Sequence, residues 1–386
     1  MIKLATETID KNDIKRLIAW LKTYPKLTQG KLTQKFENKF AKWLGAKYAI
    51  FCNSGSSANL LMLSSLLQAN IIKKNSKVVV PAICWSTDVA PIFQLNLNPL
   101  LCDINLENLS LDLSHLEQIY RREKPDVLFL VSILGFSSDI KNILKLSKKY
   151  NVKIIEDNCE SVGSKFDNKK LGNFGLMSSF STFFGHHFST IEGGIITTND
   201  KRIFNILKML RSHGWDRDLE FKEKKKLRKF WKINDFDALY TFYYSGYNLR
   251  STNLQAFIGL NQLKKLNRFC KIREKNFNYY QKKIVNNYWK IKPIKNSFVS
   301  NFGYPLISPY KNEIVKELTK QKIQVRPLIS GSMNKQPFFQ KNIKIKPLKA
   351  SSEVDRFGMY LPNHHDLSFK QIDLICNIVN KIINNK

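Results

Sequence analysis

The sequence predicts an α/β protein in which helices cover a largely parallel sheet, with a smaller α+β domain at the C-terminal end. Short β-branched runs alternate with longer amphipathic stretches, as in parallel sheets joined by helices. A chain of 386 residues with 43% hydrophobic content exceeds what one core usually holds, about 250–300 residues. The apolar pattern changes after a helix-like segment at 253–269. We therefore predict a large domain at 1–252 and a small one at 253–386.

The individual elements follow from the same patterns. Four apolar runs are predicted as buried strands, at 77–82, 126–134, 152–157 and 194–198. Two amphipathic stretches, 57–67 and 140–150, have apolar residues at helical spacing. Beyond 269 we expect isolated strands and helices at 302–307, 313–322, 324–327 and 369–383.

The composition is strongly basic, with a net charge of +32. Clustered lysines attract phosphates, so nucleic acid or an anionic membrane is one interpretation. The lysines are spread along most of the chain, however, and the one dense run, 221–232, is short. We interpret them as compositional bias with solvated side chains, which is compatible with a modest benefit for an anionic nucleotide substrate, and we expect neither nucleic acid nor membrane as a partner.

The cysteine spacing and the N-terminal segment narrow the class of protein further. The six cysteines lie far apart and form no CxxC pair, which argues against structural zinc, an iron–sulfur cluster and a disulfide framework. The N-terminal residues are charged too early for a secretory signal, and no apolar run approaches the roughly 20 residues of a membrane span. We expect a cytoplasmic protein without a metal site.

Two segments are candidate ligand sites next to predicted elements. Residues 53–59, NSGSSAN, precede an apolar helix whose free N–H groups would favour phosphate; an ordinary serine-capped helix is the alternative. Asp157 closes a predicted strand at its carboxyl end, where ligands bind in open α/β sheets. A carboxylate there could hold a pyridinium N–H, or it could cap the following segment.

Aromatic and histidine residues supply two more candidates. Trp85 follows a predicted strand and could stack on a planar cofactor, the alternative being a buried core tryptophan. The segment 178–194 places His186 and His187 among aromatic and hydroxyl residues before a Glu-Gly-Gly turn. One histidine could move a proton near neutral pH, and we interpret His187 as structural.

Read in order, these segments resemble the sugar aminotransferase family of fold-type-I pyridoxal-phosphate enzymes. The resemblance spans almost the whole chain, through FCNSGSSANLLML, VPAICWSTDVAPIF, IIEDNCESVGSKF, SFSTFFGHHFSTIEGG, LRSHGWDRDL, GYNLRSTNLQAF and RPLISGSMNKQPFF. It implies a homodimer with shared active sites and a fold-type-I α/β/α sandwich. The cofactor-binding residues that it implies are Gly55, Ser56 and Ser181 for the phosphate, Trp85 for stacking, Asp157 for the ring nitrogen, Glu160 beside the ring and Asn248 for the neighbouring subunit's phosphate.

The family's Schiff-base lysine lies six residues before the glutamate of the EGG turn, and His186 occupies that position here. No lysine lies between Lys170 and Lys201. An imidazole cannot form the covalent link, so the cofactor would be bound non-covalently. This histidine is similar to that of a branch of nucleotide-sugar 3-dehydratases. The missing cluster cysteines favour the cluster-free GDP-sugar enzymes over the CDP-sugar enzymes of that branch.

The resemblance implies that pyridoxamine phosphate acts on the C4 ketone of a nucleotide-activated 4-keto-6-deoxy sugar. His186 would move the proton, the C3 hydroxyl would leave, and L-glutamate would restore the amine. His213, Arg250 and Arg326 are candidate substrate-binding residues, with structural ion pairs or surface positions as the alternative. A lysine-free aminotransferase, a non-catalytic pyridoxal-phosphate-binding regulator and a nucleic-acid-binding protein are the rival hypotheses. His364 and His365 are interpreted as loop structure.

Overall fold

The computed structural model describes residues 1–385 and contains one large sheet and two small ones. The strands in chain order are β1 (Tyr48–Cys52), β2 (Lys77–Pro81), β3 (Asn98–Cys102), β4 (Val127–Val131), β5 (Lys153–Asp157), β6 (Lys165–Phe166), β7 (Lys169–Lys170), β8 (Met177–Ser181), β9 (Gly194–Thr198), β10 (Ser297–Phe298), β11 (Tyr304–Ile307), β12 (Arg326–Pro327) and β13 (Gly358–Leu361).

Helices connect and cover these strands. In chain order they are α1 (Lys11–Leu21), α2 (Lys31–Leu44), α3 (Gly55–Gln68), α4 (Ser86–Gln94), α5 (Leu113–Glu123), α6 (Ile140–Lys149), α7 (Lys201–Arg211), α8 (Phe221–Trp231), α9 (Asn253–Gln262), α10 (Leu266–Lys283), α11 (Lys311–Lys320), α12 (Pro337–Asn342), α13 (Lys349–Phe357) and α14 (Phe369–Asn384).

The large sheet has the order β1-β9-β8-β5-β4-β2-β3. Pairing is parallel from β8 through β5, β4 and β2 to β3, as predicted, whereas β9 runs antiparallel to both of its neighbours. Alternate side chains enter opposite layers: Val78 and Val80 pack with α3, α4 and α7, while Val79 packs with α5 and α6. The α/β/α sandwich predicted from the sequence is confirmed.

The C-terminal part has its own core around the sheet β11-β13-β12. Helices α10, α11 and α14 pack there, and the N-terminal residue Ile2 joins through a bridge to Ile323. Helix α9 packs against α2, a helix that contacts strand β1 of the large sheet. The division of the chain after residue 252 stays a prediction.

The expectation of one long helical segment over 253–269 was wrong, because α9 and α10 are separated by a turn at 263–265. Side chains next to the turn bond to the start of the chain. Gln262 Nε2 donates to Asp13 Oδ2 at 2.6 Å, and Lys265 Nζ donates to the same oxygen at 2.6 Å. These long-range bonds favour a bend that local helical periodicity does not reveal.

The topology brings several strand ends to one edge of the large sheet. Strands β1, β2, β5 and β8 all end there, and antiparallel β9 begins there, with Gly194 opposite both Cys52 and Ser181. Helix α3 starts three residues after β1. No helix within residues 1–385 combines the length and apolarity that crossing a bilayer requires.

Candidate active site

A cavity of about 520 Å³ lies at this edge, between the large sheet and the small C-terminal sheet. The C-terminal part contributes Phe302, Arg326 and Tyr360, and the N-terminal segment contributes Leu4 and Ala5. The predicted site residues that line the cavity are Gly55, Ser56, Trp85, Asp157, Glu160, Ser181, His186 and Arg326. Segments that are distant in sequence are thus brought together at the carboxyl ends of the strands.

The N-terminus of α3 opens into the cavity and is also capped by serine. Ser54 Oγ accepts a hydrogen bond from the N–H of Ser57 at 3.0 Å, so the predicted cap is present. Gly55 is closely packed, since an added Cβ would lie 2.9 Å from Ser181 Cβ. Together, the helix N-terminus, Ser56 and Ser181 can bind a phosphate group.

Asp157, at the end of β5, is 6% exposed and is held from two sides. Asn59 Nδ2 donates to Asp157 Oδ2 at 2.7 Å, and the N–H of Cys159 donates to Oδ1 at 2.8 Å. Asn59 Nδ2 also lies 3.0 Å from Oδ1 of the fully buried Asp88. Within residues 1–385, neither carboxyl group has an ion pair with Lys, Arg or His, which suits a cationic ligand group in the cavity.

Asn59 and Asp88 line the cavity but were not predicted as site residues. Asn59 belongs to the NSGSSAN segment, of which Gly55 and Ser56 were predicted as cofactor-binding residues. Asp88 follows Trp85 by three residues, a spacing typical of a helix-capping carboxylate, and its carboxylate does accept the Trp85 N–H at 2.9 Å. This spacing could have identified Asp88 as a capping residue, but local sequence carries no signal of its contact with Asn59.

Trp85 precedes α4 and remains 55% exposed at the cavity wall. A buried core tryptophan, the alternative to a stacking role, is therefore excluded. An exposed indole beside a cavity presents a face on which a planar ring can stack.

His186 lies in the loop between β8 and β9, partly exposed at the cavity. Its N–H donates to the carbonyl of Phe183 at 3.0 Å, and its carbonyl accepts from Arg273 Nη2 at 3.3 Å. Burial lowers the pKa of the imidazole to about 4, against the opposing attraction of Asp157. His186 is therefore neutral at pH 7, which is the form that accepts a proton.

His187 is fully buried and does not line the cavity. Its Nε2 lies 2.9 Å from the carbonyl oxygen of Ser300, and burial lowers its pKa well below the ordinary value. Its position agrees with the structural interpretation. Within residues 1–385, no group of three or more His, Cys, Asp or Glu side chains is arranged to hold a metal ion.

Glu160 accepts a hydrogen bond from the N–H of Leu134 at its Oε2, 2.8 Å away. Burial raises the pKa of this carboxyl to about 8, and the nearby Asp157 charge acts in the same direction. At neutral pH, Glu160 is therefore mainly protonated and can donate a hydrogen bond.

The remaining predicted residues divide between two places. Arg326 lines the cavity, whereas Asn248, His213 and Arg250 form a cluster outside its lining. Arg250 Nε donates to Asn248 Oδ1 at 3.2 Å, and Arg250 Nη2 lies 3.5 Å from His213 Nε2. In the part of the chain that the structure describes, neither Arg326 nor Arg250 pairs with a carboxylate, so the alternative of a structural ion pair is not realised.

The fold and the cavity define a fold-type-I aminotransferase-like protein, and comparison of the chain with known proteins identifies its family. The sequence profile of the DegT/DnrJ/EryC1/StrS aminotransferase family matches residues 7–380, and the chain belongs to this family. The resemblance inferred from the sequence is thereby confirmed.

Its relatives include dehydratases. The chain is 32% identical to the GDP-4-keto-6-deoxy-D-mannose 3-dehydratase of Escherichia coli O55:H7, over 97% of this chain and 98% of the relative. It is 35% identical to the enzyme of the same name from Yersinia pseudotuberculosis, over 92% of each chain. A crystal structure of GDP-4-keto-6-deoxymannose-3-dehydratase with a trapped PLP-glutamate geminal diamine superposes with a TM-score of 0.91 at 31% identity, covering 98% of this chain and 100% of the other.

Proposed function

We propose that this protein is a pyridoxamine-phosphate-dependent nucleotide-sugar 3-dehydratase acting on GDP-4-keto-6-deoxymannose. The observation that carries the proposal is His186 in the position of the family's Schiff-base lysine, at a cavity with Asp157. The dehydratase names of the relatives with 32–35% identity support the same reaction.

The cavity fits the cofactor on its own geometry. The N-terminus of α3 with Ser56 and Ser181 suits the phosphate, and the exposed Trp85 suits the ring face. The Asp157 carboxylate, without a protein cation beside it, suits a protonated ring nitrogen. When bound, pyridoxamine phosphate supplies an amine that condenses with the C4 ketone and a cationic ring that takes up electrons.

No lysine is among the cavity-lining residues of the described chain, so the cofactor is held without a covalent bond. The neutral imidazole of His186 accepts a proton at one of its own nitrogens and can return it to the departing C3 hydroxyl. Asp157 keeps the positive charge of the ring in place. Glu160, carrying its own proton, donates a hydrogen bond in the cavity.

Atoms balance over the whole reaction. The C3 hydroxyl leaves as water, and the sugar takes up two electrons, which L-glutamate supplies, to become a 4-keto-3,6-dideoxy sugar. L-Glutamate is converted into 2-oxoglutarate, its nitrogen leaves as ammonia, and the amine form of the cofactor is restored. Such a sugar would feed the synthesis of a surface polysaccharide.

The assembly and location belong to the same proposal. We expect a cytoplasmic homodimer in which Asn248 reaches the neighbouring subunit's cofactor phosphate and His213 reaches its substrate, while Arg250 pairs with a phosphate or with the carboxylate of glutamate. The position of this cluster outside the cavity of its own chain supports a role toward a second subunit. Arg326, inside the cavity, would pair with a substrate phosphate or with the carboxylate of glutamate.

The proposal is tested by incubating the purified protein with pyridoxal phosphate, L-glutamate and GDP-4-keto-6-deoxymannose. Mass spectrometry should find a nucleotide sugar that lacks one oxygen, with an equal amount of 2-oxoglutarate. The matched control is His186→Asn, which should form neither. An amino sugar would instead identify a lysine-free aminotransferase. If the wild-type protein does not bind the cofactor, the enzyme proposal is refuted.

A further inference from the structure

Asp157 is not the only carboxyl group at the end of the cavity where the ring nitrogen is proposed to bind. The side-chain amide of Asn59 bridges two carboxyl groups, with Nδ2 2.7 Å from Asp157 Oδ2 and 3.0 Å from Asp88 Oδ1. Ser179 Oγ fixes the orientation of the amide by donating to Asn59 Oδ1 at 2.6 Å. Because both hydrogen-bonding ends of the amide are in use, Nδ2 must face the carboxyl groups.

These two carboxyl groups cannot both be ionised at low cost. Asp88 is 0% exposed and Asp157 is 6% exposed, and no lysine, arginine or histidine forms an ion pair with either one within residues 1–385. Like charges at hydrogen-bonding distance in a buried site leave one proton on the pair. Burial, the charge of Asp157 and a hydrogen bond to Asp157 all raise the pKa of Asp88 well above its ordinary value.

The surroundings decide which carboxyl group keeps the proton. Hydrogen bonding does not distinguish them, since Asp157 accepts from Cys159 and Asn59, and Asp88 accepts from Trp85 and Asn59. Burial and counter-charge do: Asp88 is the more deeply buried of the two, and one cationic ring nitrogen beside Asp157 would neutralise a single negative charge there. A second negative charge on Asp88 would have no counter-charge, so the proton belongs on Asp88.

We infer that Asp88 is a neutral carboxylic acid that, together with Asn59, positions the Asp157 carboxylate toward the ring nitrogen of the cofactor. Asp88 and Asn59 are positioning residues, since they act through Asp157. The inference rests on the proposed cofactor site and deepens it.

The same carboxyl group is tied to the stacking residue. Asp88 Oδ2 accepts the backbone N–H of Trp85 at 2.9 Å, at the start of α4. One buried acid therefore couples the partner of the ring nitrogen to the residue that faces the ring. Loss of Asp88 should disturb both contacts together.

Two substitutions separate a neutral hydrogen-bond donor from a required negative charge. Asp88→Asn keeps the shape, accepts the Trp85 N–H and can donate to Asp157 without any charge, although its NH2 group no longer accepts the bond from Asn59. Asp88→Ala removes the bonds to Trp85, Asn59 and Asp157 together. We expect the affinity for pyridoxal phosphate to stay within a few-fold of wild type in Asp88→Asn and to fall about tenfold or more in Asp88→Ala.

The readout specific to this inference is the ¹⁵N chemical shift of labelled pyridoxal phosphate, which reports protonation of the ring nitrogen. The ring nitrogen should remain protonated in wild type and Asp88→Asn and lose protonation in Asp88→Ala. A general loss of structure would be recognised from the melting temperature of the cofactor-free proteins. An Asp88→Asn protein as impaired as Asp88→Ala would overturn the inference, as would an Asp88→Ala protein that behaves like wild type.

A second measurement needs no cofactor and no alanine variant. An infrared difference spectrum of wild type against Asp88→Asn at neutral pH, with ¹³C-labelled aspartate, should show the carbonyl band of one protonated carboxyl in wild type. A carboxylate band in its place would overturn the inference. If this band is present but wild type fails to bind pyridoxal phosphate, the inference that Asp88 carries a proton still holds. In that case the cofactor proposal, and the positioning role that rests on it, are refuted.

Discussion

The guanidinium group of Arg273 donates a hydrogen bond to the backbone carbonyl of His186, with Nη2 3.3 Å from the oxygen. Arg273 is 2% exposed, and its Nη1 also contacts the carbonyl oxygens of Asn301, Phe302 and Asn363. Within the described residues it has no carboxylate partner. A single buried cation on α10 thus joins the loop that carries His186 to the C-terminal part of the chain.

Replacing Arg273 by methionine should destabilise the protein and displace His186. The substitution leaves four carbonyl groups without this donor, two of them buried and two partly buried, and each unsatisfied buried group costs about 1–3 kcal/mol. We expect a clear fall in the melting temperature and a lower kcat. Arg268→Met, at an exposed position on the same helix, is the control. Equal melting temperatures for the two variants would show that Arg273 does not hold the loop.

Replacing His186 by lysine should create the covalent link that this chain lacks. A lysine amine at position 186 can form a Schiff base with the aldehyde of pyridoxal phosphate, which an imidazole cannot do. Borohydride reduction followed by mass spectrometry of the intact protein should find the cofactor attached in this variant. Wild type and His186→Gln should show no adduct. An adduct in wild type would mean that a lysine reaches the cofactor, although none is among the residues that line the cavity.

Glu160 should make the stability of the cofactor-free protein depend on pH. Burial raises the pKa of this carboxyl from 4.5 to about 8. The group therefore makes its full favourable contribution to the free energy of unfolding below about pH 4.5. This contribution is lost as the pH rises to about 8, since the unfolded chain gives up the proton first. Glutamine does not titrate, so Glu160→Gln should gain stability over wild type across this interval and keep a constant advantage above it.

The measurement is the melting temperature of both proteins as a function of pH. Glu7→Gln, which changes an exposed glutamate, should follow wild type at every pH. A difference between Glu160→Gln and wild type that does not change with pH would mean that the pKa of Glu160 is not raised in the folded protein.

The sequence predicted those parts of the fold and site that have a local signal. The run ending at Asp157 is apolar and β-branched, and residues 194–198 are equally clear. Strand β8 escaped prediction because it contains Ser178, Ser179 and Ser181, which are buried through hydrogen bonds and close packing. Hydrophobicity gives no sign of such a strand.

Contacts between distant residues were beyond the reach of local patterns. Arg273 lies 87 residues from His186, and Asp88 lies 29 residues from Asn59. Each pair meets only because the topology brings separate elements to one edge of the sheet. The antiparallel direction of β9 is a similar case, since direction depends on the path of the chain through the preceding loop.

Gly194, at the start of strand β9, lies close to the proposed phosphate-binding loop. Paired with Cys52 and Ser181, it places an ideal Cβ 2.0 Å from the carbonyl oxygen of Ser54 and 2.7 Å from the nitrogen of Gly55. These are backbone atoms, which cannot rotate away as a side chain can. Gly194→Ala must therefore push the start of α3 out of position.

We expect Gly194→Ala to lower the melting temperature, since overpacking of this kind costs about 1–3 kcal/mol or more. We also expect weaker binding of pyridoxal phosphate, because the displaced N–H groups of α3 no longer meet its phosphate. Gly185→Ala is the steric control: an added Cβ there meets only the ring of Phe183, at 3.5 Å, and should leave the melting temperature unchanged. If Gly194→Ala has the melting temperature of Gly185→Ala and binds the cofactor like wild type, Gly194 is not needed to keep the start of α3 in position.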